Sequence, residues 1–227
     1  MNQSFLNEFS KRFLTAIILL FCIGGAYVHS SLLFSLLLTT VLILILLFEW
    51  PKLFDRTNKL LFIGVTLLYP ILPMLSLIYL NVYYYQKNML IPLYPFFVAW
   101  TYDTCGYLIG KLCGNHKVWP SLSPGKSWEG LFAGFVGVSL FNWFFLPQLD
   151  QNLFVNYVTA FFVVITLSLI LTLLAFLGGM FISYLKRKNN LKDTGSVLPG
   201  HGGFLDRFDS VFFIAIAVLI GVLMHSQ

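Results

Sequence analysis

Charged residues are scarce in this sequence. Asp, Glu, Lys and Arg together make up 10% of its 227 residues, whereas hydrophobic residues make up 58%. A soluble globular domain usually carries about 25% charged residues, and the mean hydropathy here is +0.83. This balance excludes an ordinary soluble domain and predicts an integral membrane protein.

Cysteine is also rare, and Cys22, Cys105 and Cys113 lie in or next to hydrophobic segments without metal-ligand spacing. We expect these side chains to pack. The sequence lacks internal repeats, low-complexity tracts and long linkers, which predicts a single membrane-embedded domain over 1–227. We divide it into N-terminal spans in 1–80 and, in 90–227, the spans that carry the polar loops. The basic pair Lys11-Arg12 precedes an apolar run that leads straight into another span, so we expect a retained anchor rather than a cleaved signal peptide.

Long apolar runs predict an all-α fold with seven transmembrane helices, because a helix needs about 20 apolar residues to cross a bilayer. The runs fall at 13–28, 31–48, 60–80, 90–110, 128–146, 154–177 and 208–225. Hydrophobic sequence continues beyond the sixth run to Leu185. We therefore expect the helix to break at Gly178-Gly179 and an interfacial helix to follow over Met180–Lys188.

The basic residues are divided unequally between the two sides of these spans. Of the 14 Lys and Arg residues, Lys87 alone falls in a loop of the second side. Positive charge marks the cytoplasmic side. The pattern predicts a cytoplasmic N-terminus and cytoplasmic loops at 111–127 and 186–207, most simply in a bacterial inner membrane. Any site built from these loops would face the cytoplasm.

The segment from Ser183 to Asp209 concentrates charge between hydrophobic runs. It carries five cations and three acids together with a Gly-rich turn: Lys186, Arg187, Lys188, Lys192, Arg207, Asp193, Asp206, Asp209 and Pro199–Gly203. Cations suit phosphate oxygens, carboxylates suit hard divalent cations, and glycine backbone can approach an anion closely. The segment predicts a site for metal-bound polyphosphate. A basic loop that only fixes topology is the alternative, and it leaves the aspartates and glycines unexplained.

Asp103 is an acid inside the fourth hydrophobic run. A carboxylate there costs a few kcal/mol if it faces lipid. It shares one helix face with Gly106, Tyr107 and Gly110. This face either forms a packing seam or lines a cytoplasmic cavity.

The segment Ser123-Pro124-Gly125-Lys126 is typical of a helix start, with Ser123 as N-cap and Pro124 at the first helical position. Lys126 would then lie in the first turn, where backbone N–H groups favour anions. The alternative is plain capping with a lysine that extends to the interface. Further along, Gly130, Gly134 and Gly137 are predicted to form a close-packing face.

The charged segment resembles the signature of the CDP-diacylglycerol synthases, also called phosphatidate cytidylyltransferases. The resemblance rests on Ser183, Lys186-Arg187, Lys192-Asp193, Pro199–Gly203 and Asp206-Arg207-Phe208-Asp209. Three shorter segments agree in the same order, namely Glu49-Trp50, Trp100 to Asp103, and Ser123–Gly130.

This resemblance implies the reaction of CTP with phosphatidate to give CDP-diacylglycerol and pyrophosphate, and it implies a role for each matching residue. Asp206 would bind metal, assisted by Asp193 or Asp209. The catalytic phosphate contacts would be Lys126, Lys186, Arg187, Lys192 and Arg207, with His201 as a pyrophosphate clamp. Substrate would also contact Asp103, Ser123, Ser183, Gly202 and Gly203.

The implied cofactor is Mg²⁺, with a monovalent cation as a second candidate. The implied partners are CTP, phosphatidate and membrane lipid, without nucleic acid. A homodimer through the glycine faces is a further candidate.

The chain departs from the family pattern at Gly179, where the family has an Asp within Gly-Asp-Leu. Asp103, Asp193, Asp209 or a water would have to supply the missing charge. An alternative is a homologue that has lost catalysis and binds lipid or nucleotide. A small transporter is less consistent, because the spans carry few charged residues besides Asp103 and Glu129.

Overall fold

The structure is a computed structural model that describes residues 21, 23–54, 59–149, 156–195, 197 and 202–225. It is mostly helical, as the hydrophobic runs predict. The main helices are α1 (Ser31–Leu53), α2 (Lys59–Tyr84), α3 (Tyr94–Cys113), α4 (Trp128–Leu149), α5 (Tyr157–Lys188) and α6 (Leu205–His225). A two-stranded antiparallel hairpin, β1 (Lys117–Trp119) and β2 (Ser123–Ser127), lies between α3 and α4 in sequence and was not predicted.

Within the described ranges, five helices are long and apolar enough to cross a membrane: α1, α2, α4, α5 and α6. The chain is accordingly an integral membrane protein. The predicted fourth span is present as helix α3 but is not one of these five. The predicted first span, 13–28, falls largely outside the described residues, so the count of seven stays a prediction.

Large apolar side chains point outward from the long helices. Leu60 on α2 is 85% exposed and Phe144 on α4 is 72% exposed. Surfaces of this kind are unfavourable in water over a large area but match the hydrocarbon of a bilayer. The exposed side chains therefore agree with a membrane location.

The chain divides into two compact units. The first comprises Met1–Tyr83 and Leu185–Phe208, and the second comprises Tyr84–Tyr184 and Asp209–Gln227. In the first unit, α1 contains a π-helical turn at Ile45–Glu49 and α2 contains one at Leu67–Ile71. Trp50 follows the first turn, stacks on Tyr69 at 5.7 Å and donates its indole N–H to Thr66 Oγ1 at 2.7 Å.

In the second unit, glycines let α3 pack closely against α4. A Cβ atom on Gly106 would lie 3.2 Å from the carbonyl oxygen of Gly130, and one on Gly130 would lie 2.8 Å from the carbonyl oxygen of Gly106. A Cβ on Gly134 would meet the ring of Tyr102 at 2.5 Å. These contacts confirm the predicted packing faces and show that the glycines serve a crossing inside the chain.

Helix α5 runs without a break from Tyr157 to Lys188, so the predicted break at Gly178-Gly179 is wrong. Glycine costs roughly 1 kcal/mol in a helix but does not end one by itself. Here Gly178 serves packing instead, because a Cβ on it would collide with the backbone carbonyl oxygen of Asp209.

Candidate functional site

The β hairpin places Lys126 beside the start of α4. Lys117 pairs with Ser127 and Trp119 pairs with Ser123, with an irregular register between them. Residues 124–126 therefore face a single residue of β1, and such a bulge redirects side chains. Trp119 and Trp128, which lie at the end of β1 and just after β2, are both 58% exposed.

The predicted helix start at Ser123 is wrong. Residues 123–127 form β2, and α4 begins at Trp128. Ser127 takes the capping role, because its Oγ accepts a hydrogen bond from the Gly130 N–H at 3.2 Å. Ser123 and Ser127 lie four residues apart. Because pairing with β1 continues as far as Ser127, the helix begins only after the second serine. Lys126 thus lies in the strand rather than in the first helical turn.

Hydrogen bonds between His116 and the first turn of α4 hold the hairpin to the helix that follows it. His116 Nδ1 lies 2.6 Å from Glu129 Oε1, and the His116 N–H donates to the same oxygen at 3.1 Å. The N–H of Trp128 donates to the carbonyl oxygen of His116 at 2.9 Å. Both ends of the hairpin are therefore fixed relative to the first turn of α4.

A cavity of about 210 Å³ lies in the second unit. Three predicted site residues, Asp103 on α3 and Ser123 and Lys126 on β2, line it together. Tyr107 and Phe176 add aromatic surface. Two roles were predicted for the helix face that carries Asp103, a packing seam or a cavity lining. Asp103 and Tyr107 line the cavity, while Gly106 and Gly110 also pack against α4.

The amine of Lys126 reaches helix α5. Its Nζ donates to the carbonyl oxygen of Phe176 at 3.3 Å and lies 5.0 Å from the centre of the Phe176 ring. A Cβ on Gly179 would collide with this amine, and Asp209 Oδ2 lies 3.5 Å from the same Cβ position. The missing side chain at 179 thus makes room for an ammonium group close to a carboxylate.

In the first unit, Asp206 lies at the centre of a hydrogen-bonded cluster. Its Oδ1 pairs with Lys186 Nζ at 2.7 Å, with side-chain exposures of 10% and 14% respectively. Its Oδ2 accepts hydrogen bonds from the Thr194 N–H and hydroxyl, each at 2.9 Å, and from the Gly203 N–H at 3.2 Å. The predicted residues Lys186, Gly203 and Asp206 therefore belong to one cluster.

Glu49 completes this cluster. Its four hydrogen-bonded side chains, those of Glu49, Lys186, Thr194 and Asp206, are called the Glu49–Asp206 network below. Glu49 is fully buried and accepts hydrogen bonds from Thr194 and from the start of α6. Sequence reasoning assigned it no role, although Glu49-Trp50 belongs to the pattern of the resemblance. The signal was an acid at the end of an apolar run, next to a tryptophan that is common at membrane interfaces.

The remaining predicted residues are placed as follows. Ser183 Oγ donates to the Gly179 carbonyl oxygen at 2.8 Å, within its own helix. Arg187 is exposed and donates to the Leu191 carbonyl oxygen at 3.0 Å. Lys192 and Arg207 are exposed. Asp209 Oδ1 accepts a hydrogen bond from the Ser210 N–H at 2.7 Å. His201 lies outside the described residues.

The turn at Gly202 brings two predicted metal ligands to one place. Gly202 has φ +82°, and a Cβ there would lie 3.1 Å from Asp206 Oδ2 and 3.7 Å from Asp193 Cβ. In the part of the chain that the structure describes, no group of three His, Cys, Asp or Glu side chains is placed to hold a metal ion. Mg²⁺ keeps several waters and needs only one or two protein carboxylates. Asp193 and Asp206 match that requirement in kind and number, although the Asp206 oxygens bond Lys186, Thr194 and Gly203 in this structure.

These features define a helical membrane protein that concentrates cations and carboxylates at a few polar positions. A family model described as the cytidylyltransferase family matches residues 6–225. The chain belongs to the cytidylyltransferase family.

Individual relatives carry a more specific name. Proteins named phosphatidate cytidylyltransferase are 43% identical in Staphylococcus aureus (strain COL), 40% in Staphylococcus saprophyticus and 38% in Staphylococcus epidermidis (strain RP62A). Each match covers 122 residues, which is 54% of this chain and 45% of the relative. The match thus spans slightly less than half the length of each relative.

Proposed function

We propose that the protein transfers the cytidylyl group of CTP to phosphatidate, giving CDP-diacylglycerol and pyrophosphate. The observation that carries this proposal is the cavity in which Asp103, Ser123 and Lys126 meet between apolar helices. Membership of the cytidylyltransferase family and the name of the staphylococcal relatives support the choice of substrates.

In this reaction a phosphate oxygen of phosphatidate attacks the α-phosphorus of CTP. The new P–O bond forms as the bond from the α-phosphorus to the bridging oxygen breaks, and pyrophosphate leaves with the electron pair. The attacking oxygen is already anionic, so no serine or cysteine nucleophile is required. The protein has to orient two anions and offset their charge.

We assign these tasks to the cations of the predicted site. Lys126, in its partly enclosed cavity, would contact a substrate phosphate together with Ser123. Lys186, as a member of the Glu49–Asp206 network, would contact a phosphate group. Arg187, Lys192 and Arg207 would be exposed contacts that attract polyphosphate. A cation in a partly desolvated site interacts more strongly with phosphate than one in water.

Mg²⁺ is part of the proposal. Asp206 would hold it beside the Gly202 turn, assisted by Asp193, with Asp209 as the predicted alternative to Asp193. When bound, the ion would neutralise negative charge on the phosphate oxygens. A monovalent cation remains the second candidate.

We further propose seven spans with the N-terminus in the cytoplasm of a bacterial cell. Nearly all lysines and arginines then lie on the cytoplasmic side, where CTP is found. The loops at 111–127 and 186–207 would carry the site residues on that side of the inner membrane. A homodimer stays a prediction.

Purified full-length protein in lipid nanodiscs, given α-labelled CTP, phosphatidate and Mg²⁺, tests the activity. We expect labelled lipid from the wild type and a fall of about 100-fold in kcat/KM for Lys126→Ala, the scale of losing one charge-stabilising group. Lys117→Ala is the matched control, because Lys117 is exposed on the same hairpin and does not line the cavity. A wild type that forms no labelled lipid with any divalent cation would overturn the proposal.

A further inference from the structure

Glu49 binds the beginning of helix α6. Its Oε1 accepts a hydrogen bond from the Phe204 N–H and its Oε2 accepts one from the Leu205 N–H, both at 2.8 Å. The first N–H groups of a helix have no partners within the helix and carry partial positive charge. A fully buried carboxylate on two of them fixes where α6 starts.

Thr194 connects Glu49 to Asp206. Its hydroxyl lies 3.1 Å from Glu49 Oε2 and 2.9 Å from Asp206 Oδ2. A hydroxyl has one hydrogen to donate, so the two carboxyl groups share a single donor. The backbone N–H of Thr194 donates to Asp206 as well, at 2.9 Å. The position of Asp206, and of Lys186 paired with it, therefore depends on what holds Thr194.

Two glycines leave the space that the Glu49 side chain occupies. A Cβ on Gly203 would lie 2.6 Å from Glu49 Oε2 and would collide with Thr194 Oγ1. A Cβ on Gly195 would lie 3.1 Å from Glu49 Cγ. The loop that contains Thr194 and the turn before α6 thus close tightly around one buried acid.

We propose that Glu49 is a positioning residue for the Lys186–Asp206 pair. It contacts no substrate; it holds Thr194 and the start of α6 so that Lys186 and Asp206 keep one geometry. The proposal rests on the proposed function for the roles of Lys186 and Asp206, but the physical link through Thr194 can be tested without it.

The test compares Glu49→Gln, Thr194→Val and Thr194→Ser in full-length protein in nanodiscs. Glutamine replaces an acceptor oxygen with an NH₂ group that would face backbone N–H donors. We expect faster hydrogen–deuterium exchange in the peptide covering residues 203–207. We also expect at least a tenfold lower kcat/KM for CTP with a nearly unchanged KM for phosphatidate. Thr194→Val should act in the same direction, and Thr194→Ser should recover most of the loss because it keeps the hydroxyl.

Thr66→Val is the matched control. It removes the hydrogen bond to Trp50, the residue next to Glu49, without touching the network. It should change neither the exchange of 203–207 nor the CTP kinetics.

Unchanged exchange in Glu49→Gln, or equal losses in the Val and Ser variants of Thr194, would overturn the inference. If the wild type transfers nothing from CTP, the proposed function fails and the exchange data alone decide the positioning role. If Glu49→Gln does not fold, the comparison of the two Thr194 variants decides it.

Discussion

At the residue scale, Lys126 and Gly179 depend on each other. A Cβ at position 179 would collide with the lysine amine, which donates to the Phe176 carbonyl oxygen, and would lie 3.5 Å from Asp209 Oδ2. The end of a lysine side chain is flexible, so a larger residue at 179 can be accommodated by moving that amine. Substitution at 179 should therefore affect phosphate binding before it affects folding.

Gly179→Asp tests this dependence. The new carboxylate would displace the Lys126 amine and then pair with it, which offsets the charge available to a substrate phosphate. We expect KM for the anionic substrate to rise about tenfold, equivalent to roughly 1.4 kcal/mol, with little change in the melting temperature. Steady-state kinetics and thermal unfolding in the same detergent measure both, and activity at or above the wild-type level would contradict the expectation.

Residue types and order predicted part of the candidate site. Asp103, Ser123 and Lys126 are near enough in sequence, on adjacent elements, for their meeting to be expected. Glu49 could not be assigned in this way, because its partners Phe204 and Leu205 are 155 and 156 residues away. The choice between Ser123 and Ser127 as helix cap also depended on strand pairing, which local propensity does not determine.

At the element scale, the crossing of α3 and α4 depends on glycine. The Gly106 and Gly130 backbones approach so closely that neither position accepts a Cβ at an ordinary distance. Backbone atoms cannot rotate away as the end of a side chain can. Small residues at such crossings let membrane helices gain packing and weak hydrogen bonds that lipid does not provide.

Gly130→Ala should therefore destabilise the protein by about 1–3 kcal/mol through overpacking. Gly64→Ala is the matched control, because Gly64 lies in helix α2 and, among the described residues beyond its own turns of helix, none comes within 4 Å of the added Cβ. That change should be neutral or stabilising by up to about 1 kcal/mol. Reversible unfolding in mixed micelles gives both values, and equal stability of the two variants would argue against a tight crossing.

Helix α5 shows how an element-scale expectation fails. Two adjacent glycines at the end of a long apolar run favour a break on local grounds. The helix nevertheless continues to Lys188, because packing of Gly178 against the Asp209 backbone outweighs that preference. Tertiary contacts of this kind are not visible in a single sequence.

At the scale of the whole molecule, hydropathy predicted most of the long helices. Runs at 31–48, 60–80, 128–146, 154–177 and 208–225 correspond to the five apolar helices. The hairpin was missed because β1 has three residues and β2 contains Pro and Gly, so neither shows a strand pattern. Helix α3 was found, but its Tyr, Trp and Asp residues reduce its hydropathy.

Membrane orientation is the prediction at this scale. In a background without the three cysteines, Lys87→Cys should react with a membrane-impermeant maleimide in intact cells. Lys117→Cys should react only after the membrane is permeabilised, because the two positions lie in loops assigned to opposite sides. Labelling of Lys117→Cys and not of Lys87→Cys in intact cells would invert the topology, and equal labelling of both would change the number of spans between them.

The β hairpin has a consequence for how a lipid would arrive. Exposed tryptophans collect at the depth of the head groups, where an amphipathic ring is most stable, and Trp119 and Trp128 adjoin the strand that carries Lys126. A hairpin anchored at that depth would hold Lys126 level with the phosphates of the surrounding leaflet. A lipid substrate would then reach it by lateral diffusion, with its acyl chains still among their neighbours.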